Sequence, residues 1–463
     1  MPRSKAASTS TKKKQNLPLP PAPPGYLLFQ LPKLQTQPLE YLEKIWREYG
    51  DLVRLPIMPG LNLLFAAHPD HVEHILLTHQ ERYRKADFFL RPMSLVQGSG
   101  LFTSEGESWF KHRRLMQPAF QQKQLINLSE VMESCVQSLV AEWLAKPDGF
   151  TVDIAAEMTK ITLQIVSMAL FSVDISQETN QLGQAFRIAL NYVYFRLNSP
   201  LALPTWVPTA RNRDFRQAKQ TLDRIVLEII SSRRQDPTTR YDLLAMLLAA
   251  QDESTGEGMS DRQVLDEVIT LINAGHETTA TTLAWTWHLL GTNPDILNQL
   301  IEEVDSVLQG KLPSFSNFSQ LKYTRRIIDE SLRLCPPGMG LAPRVALEND
   351  EIQGYFIPKG TVVNLATYFI GRHPQFWQDP EQFDPDRFLP YKIKHQAKFA
   401  YLPFGAGGHA CIGKNFALME ATLILATIVQ KFQIELVPNQ IIEIDPQFTL
   451  RPKYGIKVTV RQR

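Results

Sequence analysis

Apolar residues recur at helical spacing over most of the chain, and this periodicity predicts a succession of helices. The predicted helices cover residues 38–49, 69–81, 122–145, 151–171, 177–195, 213–234, 242–251, 260–290, 294–309, 318–334 and 414–432. The longest one begins at Ser260, where Gln263 completes a capping box three residues later. Residues 86–108 are aromatic and contain glycine but show no clear period, so we predict a loop region there and a further helix from Ser108.

Short runs with strand-like composition occur near the two ends of the chain. Residues 51–56 (DLVRLP) and 62–67 (NLLFAA) flank a Pro-Gly turn, and further runs lie between residues 341 and 367 and at the carboxy end. No internal repeat and no glycine- or serine-rich linker divides the sequence. The pattern therefore predicts a mainly α fold with small β-sheets, in one large domain over residues 25–463.

Residues 1–24 differ from the rest of the chain in composition. The first 14 residues carry five basic side chains and no acidic one, and residues 17–26 (LPLPPAPPGY) are rich in proline. A polar segment of this kind buries too little apolar surface to fold on its own. We therefore predict a basic and proline-rich N-terminal tail that is disordered over residues 1–24.

Composition also restricts the partners and the compartment. A formal net charge of +2 gives no reason to expect nucleic acid as a partner. Three scattered cysteines are too few for a disulfide framework and indicate a reducing cytoplasm. Residues 268–290 are apolar enough to span a bilayer, but His276 and Glu277 would lie near its centre at a high energetic cost. We therefore predict a buried core helix and no integral membrane segment, with peripheral attachment to a membrane left open.

Cys411 lies in the most glycine-rich stretch of the chain, residues 404–413 (FGAGGHACIG), just before the helix that begins near Lys414. The glycines would let the backbone fold tightly and approach a flat ligand closely. A helix N-terminus stabilises a thiolate, and a thiolate without an adjacent general base suits metal ligation better than nucleophilic attack. Zinc would need further ligands nearby, and only His409 qualifies. The alternative is a buried cysteine that acts as a small apolar side chain.

Three motifs together resemble the signatures of the cytochromes P450. The pattern Phe404-x-x-Gly407-x-x-x-Cys411-x-Gly413 resembles their haem-ligand loop, in which a cysteine thiolate binds the iron of haem b. The other two motifs are Glu330-Ser-Leu-Arg333 with Pro385-Asp-Arg387-Phe388, and Ala274-Gly275-His276-Glu277-Thr278-Thr279. The resemblance covers residues from about 25 to the end and implies the single large P450 fold.

The resemblance implies a structural role for Glu330, Arg333 and Arg387, which would fix the segment behind the haem loop. As an exposed helical pair, Glu330 and Arg333 would contribute less than about 1 kcal/mol. In the long predicted helix, Gly275 lowers helix stability by roughly 1 kcal/mol relative to alanine, so its presence needs a reason. Threonine side chains in helices commonly donate a hydrogen bond to the carbonyl oxygen four residues earlier. There the resemblance implies that Thr278 holds the dioxygen and a water and that Glu277 relays protons. The alternative is that Glu277 pairs with a neighbouring cation.

The resemblance also implies which residues bind the cofactor. Haem carries two propionates, and arginine suits a carboxylate because its donors form a planar fork. The family positions that contact haem are matched here by Cys411, Trp109, Arg113, Arg344, His409, Phe404, Gly405 and Ala274. We expect Lys111, His112 and Arg114 to line a solvated face.

The activity implied is that of a monooxygenase that inserts one oxygen atom of O2 into an unactivated C–H bond of an apolar substrate. A long-chain fatty acid is the first choice and a terpenoid or other hydrocarbon the second. A haem-thiolate protein that does not activate O2, a peroxygenase and a protein with a decayed site are the alternatives. The expected substrate wall is apolar and comprises Phe88, Phe89, Leu101, Leu271, Met339, Leu341 and Phe448.

Electrons would come from a separate ferredoxin or flavodoxin with its reductase, because the resemblance assigns all of residues 25–463 to the haem domain. Neither a fused reductase nor a membrane anchor is expected. We predict that the donor docks on a basic patch formed by Lys111, His112, Arg114, Lys398 and Lys414. The length and the expected lack of an anchor are typical of bacterial P450s, and we expect a bacterial, specifically cyanobacterial, type. We expect a cytoplasmic monomer.

Overall fold

The structure is a computed structural model that describes residues 17–173, 179–199, 202–235, 242–251, 256 and 258–463. Their Cα positions form two compact units. A strand-rich unit comprises the described residues up to Leu90 together with Gly338–Gln382 and Tyr391–Cys411. A helical unit comprises Arg91–Pro337, Phe383–Pro390 and Ile412–Arg463. The mainly α fold with small sheets is confirmed, whereas the extent of a single domain over residues 25–463 stays a prediction.

Twelve strands lie within the described ranges. They are β1 Leu52–Met58, β2 Leu61–Ala66, β3 Tyr83–Lys85, β4 Phe150–Asp153, β5 Arg344–Ala346, β6 Asp350–Ile352, β7 Tyr355–Ile357, β8 Val362–Leu365, β9 Phe432–Leu436, β10 Ile444–Pro446, β11 Leu450–Pro452 and β12 Lys457–Gln462. In the strand-rich unit the main sheet has the order β1-β2-β8-β5-β3, with β2 parallel to β8 and the other pairs antiparallel. The helical unit holds the sheets β4-β12-β9 and β10-β11.

Helices make up most of the remaining chain. The α-helices of at least seven residues are Pro38–Tyr49, Asp87–Gln97, Gly106–Met116, Gln122–Leu144, Ile154–Phe171, Thr179–Asn198, Ala210–Gln235, Leu243–Ala249, Asp261–Thr292, Pro294–Leu308, Lys322–Leu334 and Lys414–Lys431. Shorter helical pieces are Leu31–Thr36, Pro69–Glu73, Phe315–Phe318, Thr367–Ile370 and Pro390–Ile393. We call Asp261–Thr292 the long helix and Lys414–Lys431 the C-terminal helix.

The long helix confirms the prediction made from its capping box. The backbone N–H of Gln263 donates to Ser260 Oγ at 3.3 Å, and the Ser260 N–H donates to Gln263 Oε1 at 2.9 Å. These two bonds satisfy donors that a helix start would otherwise leave unpaired. The helix is buried along most of its length, as expected for the apolar run over residues 268–290.

The prediction of a loop over residues 86–108 is wrong. A first helix, Asp87–Gln97, lies within that stretch, and the helix expected from Ser108 begins at Gly106 and ends at Met116. Leu90, Met93 and Val96 are buried at intervals of three residues, which is helical spacing. Pro92 inside the first helix concealed this period, because proline lacks the N–H that continues a helical ladder.

Residues 151–171 were predicted as one helix, but β4 takes the first of them. Val152 pairs with Val458 of β12, and the helix begins only at Ile154. Asp153 marks the boundary because its side chain accepts a hydrogen bond from the Ala155 N–H at 3.1 Å. Among the described residues, Ile154–Phe171 is the one helix whose length and composition would suit a membrane span, and 61% of that stretch is buried inside the protein.

Part of the segment predicted as a disordered tail lies against the strand-rich unit. The carbonyl oxygen of Pro21 accepts a hydrogen bond from the Arg54 N–H, and that of Pro18 accepts one from the Phe356 N–H, both at 2.8 Å. Residues 17–24 therefore differ from the expected tail, because the extended proline backbone offers carbonyls to strand donors. Residues 1–16 lie outside the described part of the chain.

Helix packing explains the glycine in the middle of the long helix. A Cβ atom at position 275 would lie 2.9 Å from Cγ2 of Val166, closer than carbon atoms approach without a shift. Val166 belongs to the neighbouring helix Ile154–Phe171 and is fully buried. The close approach of the two helices therefore requires Gly275, independently of any role in catalysis.

This contact predicts that Gly275→Ala destabilises the protein, although alanine is the better helix former. Overpacking costs about 1–3 kcal/mol, against a gain in helix propensity of about 1 kcal/mol. Urea unfolding should show that the added Val166→Ala change restores part of the loss in the Gly275→Ala background. Strictly additive effects of the two substitutions would contradict this account of the glycine.

Candidate functional site

The cysteine loop belongs to the strand-rich unit and closes on itself. The Cys411 N–H donates to the carbonyl oxygen of Phe404 at 2.8 Å. Gly405 and Gly407 have φ angles of +69° and +68°, a region that favours glycine. A Cβ at Gly407 would lie 2.4 Å from the carbonyl oxygen of Leu76, so a larger residue does not fit there. The glycines thus fix the shape of the loop.

The thiol of Cys411 is accessible, in contrast to the other cysteines. All three cysteines lie in the described ranges, and Cys135 is buried, Cys335 is partly buried and Cys411 is exposed. The C-terminal helix begins at Lys414, three residues further along the chain, and neither a side-chain cap nor an acidic residue occupies its first turn. Cys411 is therefore not the buried apolar residue of the alternative interpretation.

A second accessible stretch interrupts the buried surface of the long helix in the helical unit. The helix is buried over residues 264–273 and again over residues 279–287. The interval Ala274–Thr278 lies between these two buried stretches. Within that interval Ala274 is exposed, and Gly275, Glu277 and Thr278 are partly exposed. Where an otherwise buried helix exposes small residues, a ligand has room to lie against the helix backbone. The residues predicted for oxygen activation are those that the helix exposes.

The threonines of this stretch bond to their own helix. Thr278 Oγ1 donates to the Ala274 carbonyl oxygen at 2.8 Å, and Thr279 Oγ1 donates to the Gly275 carbonyl oxygen at 3.2 Å. This i−4 bonding is the pattern that the sequence predicted. The helix nevertheless runs without a break from Asp261 to Thr292.

Glu277 is held by a hydroxyl group instead of a cation. Its Oε1 accepts a hydrogen bond of 2.8 Å from Thr449 Oγ1, a residue between β10 and β11. Over the described ranges, no lysine or arginine forms an ion pair with it, and the nearest basic group is His276, whose Nε2 lies 3.9 Å from Glu277 Oε2. The alternative in which Glu277 serves as the partner of a cation therefore finds no support.

His276 is buried and faces away from solvent. Its Nδ1 donates to the Ile272 carbonyl oxygen at 2.6 Å, and its ring contacts that of Phe186 with centroids 5.4 Å apart. Burial lowers the pKa of His276, because the charged form loses its hydration. The imidazole is therefore neutral near pH 7, with its proton on Nδ1.

Glu330 and Arg333 form a fully buried, bidentate pair on the helix Lys322–Leu334. Arg333 Nε donates to Glu330 Oε2 at 2.6 Å and its Nη2 donates to Oε1 at 2.7 Å, and both side chains are 0% exposed. Oε1 also accepts from the Asp384 N–H at 2.9 Å and lies 3.3 Å from Arg387 Nε. Burial raises the pKa of Glu330, and these donors oppose the rise. The three predicted structural residues therefore meet.

The four residues predicted to contact propionates are divided between the two units. In the helical unit, Trp109 and Arg113 are partly exposed, and Arg113 Nε donates to Gln117 Oε1 at 3.4 Å. In the strand-rich unit, Arg344 is buried and donates to the Ala342 carbonyl oxygen at 2.8 Å, whereas His409 is exposed. Their role in binding propionates stays a prediction.

The placement of His112 on a solvated face is wrong. His112 is 4% exposed, and its Nδ1 lies 2.8 Å from Oε1 of Glu267 on the long helix. Glu267 Oε2 accepts a hydrogen bond from the Leu101 N–H at 2.9 Å, and Asp266 Oδ2 accepts one from the Ser99 N–H at 2.8 Å. Two adjacent carboxylates therefore anchor residues 99–101, which include Leu101 of the expected substrate wall.

Glu420 is a buried acid that the sequence analysis missed. It lies in the C-terminal helix with no exposed surface, and burial raises its pKa well above the usual range, while the Thr279 side chain opposes this. Burial disfavours the charged form of a carboxyl group in such a place. The signal was present in the sequence, because Glu420 is the one acid in the apolar run over residues 416–429.

The predicted substrate-lining residues differ in exposure. Leu101 and Leu271 are buried, Phe88 is 50% exposed, and the others are partly exposed. Met339 and Leu341 also pack against the apolar core of the strand-rich unit, so they contribute to stability there. Contact with a substrate stays a prediction for the whole set of Phe88, Phe89, Leu101, Leu271, Met339, Leu341 and Phe448.

The sequence matches the family model of Cytochrome P450 over residues 18–460. This chain belongs to the cytochrome P450 family. Its cofactor is accordingly haem b and its activity that of a monooxygenase, as the resemblance predicted. The chain fits the group: the accessible cysteine stands in a loop shaped by glycines, and no cluster of three or more His, Cys, Asp or Glu in the described part of the chain offers a protein-only metal site. The zinc alternative is thereby left without a ligand set.

Bacterial P450s are among the relatives. Cyclooctat-9-en-7-ol 5-monooxygenase of Streptomyces melanosporofaciens is 36% identical over 88% of this chain and 87% of its own length. Pentalenene oxygenase of Streptomyces avermitilis is 34% identical over 88% of this chain and 89% of its own length. The structure of retinoic-acid-bound cyanobacterial CYP120A1 superposes with a TM-score of 0.86 at 25% identity, covering 97% of this chain and 100% of the other.

The buried pair predicts a large loss of stability for Arg333→Ala in this P450. The change leaves the Glu330 carboxylate in the interior without its bidentate partner, which costs about 3–5 kcal/mol. Arg224→Ala is the matched control, because Arg224 and Glu228 form a pair with side chains 54% and 63% exposed. Its cost should be about 0.3–0.5 kcal/mol.

Urea unfolding monitored by circular dichroism measures both variants, and Arg333→Lys should fall between them because lysine lacks the planar fork. Equal losses for Arg333→Ala and Arg224→Ala would show that the buried pair has no structural role.

Proposed function

We propose that this P450 hydroxylates an unactivated C–H bond of an apolar terpenoid in the cytoplasm, with electrons from a separate ferredoxin or flavodoxin. The observation that supports this substrate class most directly is the similarity to two Streptomyces enzymes named for cyclooctat-9-en-7-ol and pentalenene, each over 88% of this chain. Retinoic acid, the ligand of the cyanobacterial structure, is also an isoprenoid.

The long-chain fatty acid favoured by the sequence analysis stays a prediction. The apolar character of Leu101, Leu271 and Phe448 is compatible with either class of substrate, since apolar walls do not distinguish chains from rings. The names of the relatives therefore support ranking terpenoids before fatty acids. A monomeric state also stays a prediction.

We assign the iron ligand to Cys411 and proton delivery to Glu277 and Thr278. Haem bound through a thiolate supplies the activation of O2 from which one oxygen atom enters the C–H bond. Glu277 holds and releases a proton at Oε2, since Oε1 is occupied by Thr449. Thr278 Oγ1 donates to the Ala274 carbonyl oxygen and lies in the accessible interval Ala274–Thr278, so its lone pairs are available to a hydrogen-bond donor such as water.

The electron donor would be attracted by basic side chains. We retain Lys111, Arg114 and Lys414 of the helical unit for this role and remove His112, because it is buried. Lys398 of the strand-rich unit lies 3.3 Å from Glu73 Oε1, so its charge is already partly balanced. An acidic ferredoxin or flavodoxin fits such a surface, and its docking rate should fall as salt screens the attraction.

The ligand assignment predicts that Cys411→Ser abolishes the red-shifted Soret band of the ferrous carbonyl complex. A serine hydroxyl is too weakly acidic to replace the thiolate. Cys335→Ser is the matched control, because that cysteine is only partly buried and lies outside the loop. A red-shifted band in Cys411→Ser, or its loss in Cys335→Ser alone, would refute the assignment.

The substrate class predicts that cyclic terpene hydrocarbons and alcohols shift the ferric protein from low to high spin at lower concentrations than C12–C18 fatty acids. Titration of matched panels with the purified holoenzyme measures this preference directly. Ferredoxin and flavodoxin are then compared as donors with the tightest ligand. Tighter binding of fatty acids than of every terpenoid in the panel would reverse the proposed order.

A further inference from the structure

The hairpin formed by β10 and β11 is fastened to the long helix at two points. Trp285 Nε1 donates to the Leu450 carbonyl oxygen at 2.7 Å, and Thr449 Oγ1 donates to Glu277 Oε1 at 2.8 Å. The Leu450 N–H also donates to the Pro337 carbonyl oxygen at 2.8 Å. All of these residues belong to the helical unit. The backbone beside Thr449 is therefore fixed, which gives its hydroxyl a defined position.

Thr449 supplies the hydrogen bond that orients the Glu277 carboxylate. Thr449 is 6% exposed, whereas the Glu277 side chain keeps 18% of its surface accessible. The hydrogen bond from this buried donor fixes one of the two carboxylate oxygens, Oε1. A free carboxylate would instead sample several χ angles, which lowers the fraction of time that it spends in any one orientation.

Among the residues that the structure describes, none donates a hydrogen bond to the second carboxylate oxygen of Glu277. Glu277 Oε2 lies 3.9 Å from His276 Nε2, which is beyond hydrogen-bond length. The His276 proton is on Nδ1, where it donates to the Ile272 carbonyl oxygen. In this tautomer Nε2 carries no proton that it could donate to Oε2. Oε2 remains available for exchange with a water or a substrate-side group.

We propose that Thr449 is a positioning residue for the reaction: its hydroxyl holds the Glu277 carboxylate so that Oε2 takes up and releases protons beside Thr278. The inference rests on the proposed proton role of Glu277. It differs from a purely structural role for a buried threonine, which would affect stability but leave the carboxylate unchanged.

The test compares Thr449→Val, which keeps the shape and removes the donor, with Thr449→Ser, which keeps the donor. Thr286→Val is the matched control. Thr286 is a buried threonine of the long helix, and its Oγ1 donates to the Thr282 carbonyl oxygen at 2.8 Å instead of to Glu277. The infrared difference between the unmodified and the Glu277→Gln holoenzyme, both without substrate, identifies the carboxylate band of Glu277.

We expect Thr449→Val to shift that carboxylate band, as the loss of a hydrogen bond does, and to raise the ratio of peroxide to hydroxylated product about fivefold, the factor that corresponds to one hydrogen bond. Thr449→Ser should restore both values, and Thr286→Val should change neither. An unshifted band in Thr449→Val would overturn the inference. An equal rise of peroxide in Thr286→Val would also overturn it, since the effect would then be one of stability.

Failure of the proposed function gives a different result. If Glu277→Gln left the ratio of peroxide to product unchanged, the proton role of Glu277 would be wrong even where Thr449→Val shifted the band. If Glu277→Gln raised the ratio and Thr449→Val did not, the proton role would stand and the positioning role would be wrong.

Discussion

Burial of the long helix makes each polar group that it carries costly unless that group has a hydrogen-bond partner. Over residues 264–287 the helix is buried almost continuously, and five threonines satisfy their hydroxyls by donating to carbonyls of their own chain. Unpaired hydroxyls in such a place would cost a considerable fraction of the stability of a protein. The accessible interval Ala274–Thr278 contains Glu277 and Thr278, the two residues to which we assign proton delivery.

The same requirement explains the partners of the acids. Glu267 accepts the Leu101 N–H and lies beside His112, and Glu277 accepts the Thr449 hydroxyl. Each acid ties a non-helical segment to the long helix, so folding and the geometry of the site depend on the same bonds. Glu420 differs from these two acids, because burial raises its pKa well above the usual range. In the strand-rich unit the glycine-rich cysteine loop is fixed instead by its backbone, through Gly405 and Gly407.

Local signals in the sequence predicted local structure well. Residues 38–49 form the predicted helix, and Ser260 and Gln263 form the predicted capping box, because both features depend on neighbours three or four residues away. The Glu330–Arg333 pair and the accessible Cys411 followed from motifs whose spacing is short. The helix Asp87–Gln97 was missed because Pro92 interrupts its period. The contacts of His112 and Thr449 were missed because each joins segments more than 150 residues apart, a separation that a single sequence does not encode locally.

The central claim is that this P450 uses O2 to hydroxylate an apolar terpenoid. Turnover under ¹⁸O2 with a cyclic terpene, a ferredoxin and its reductase, followed by mass spectrometry of the product, tests it most directly. The account predicts a hydroxylated terpene that carries one ¹⁸O atom, and no label when the ¹⁸O is supplied as water instead. Label that enters from water, or consumption of O2 and reductant without any oxygenated terpene across the panel, would contradict the account.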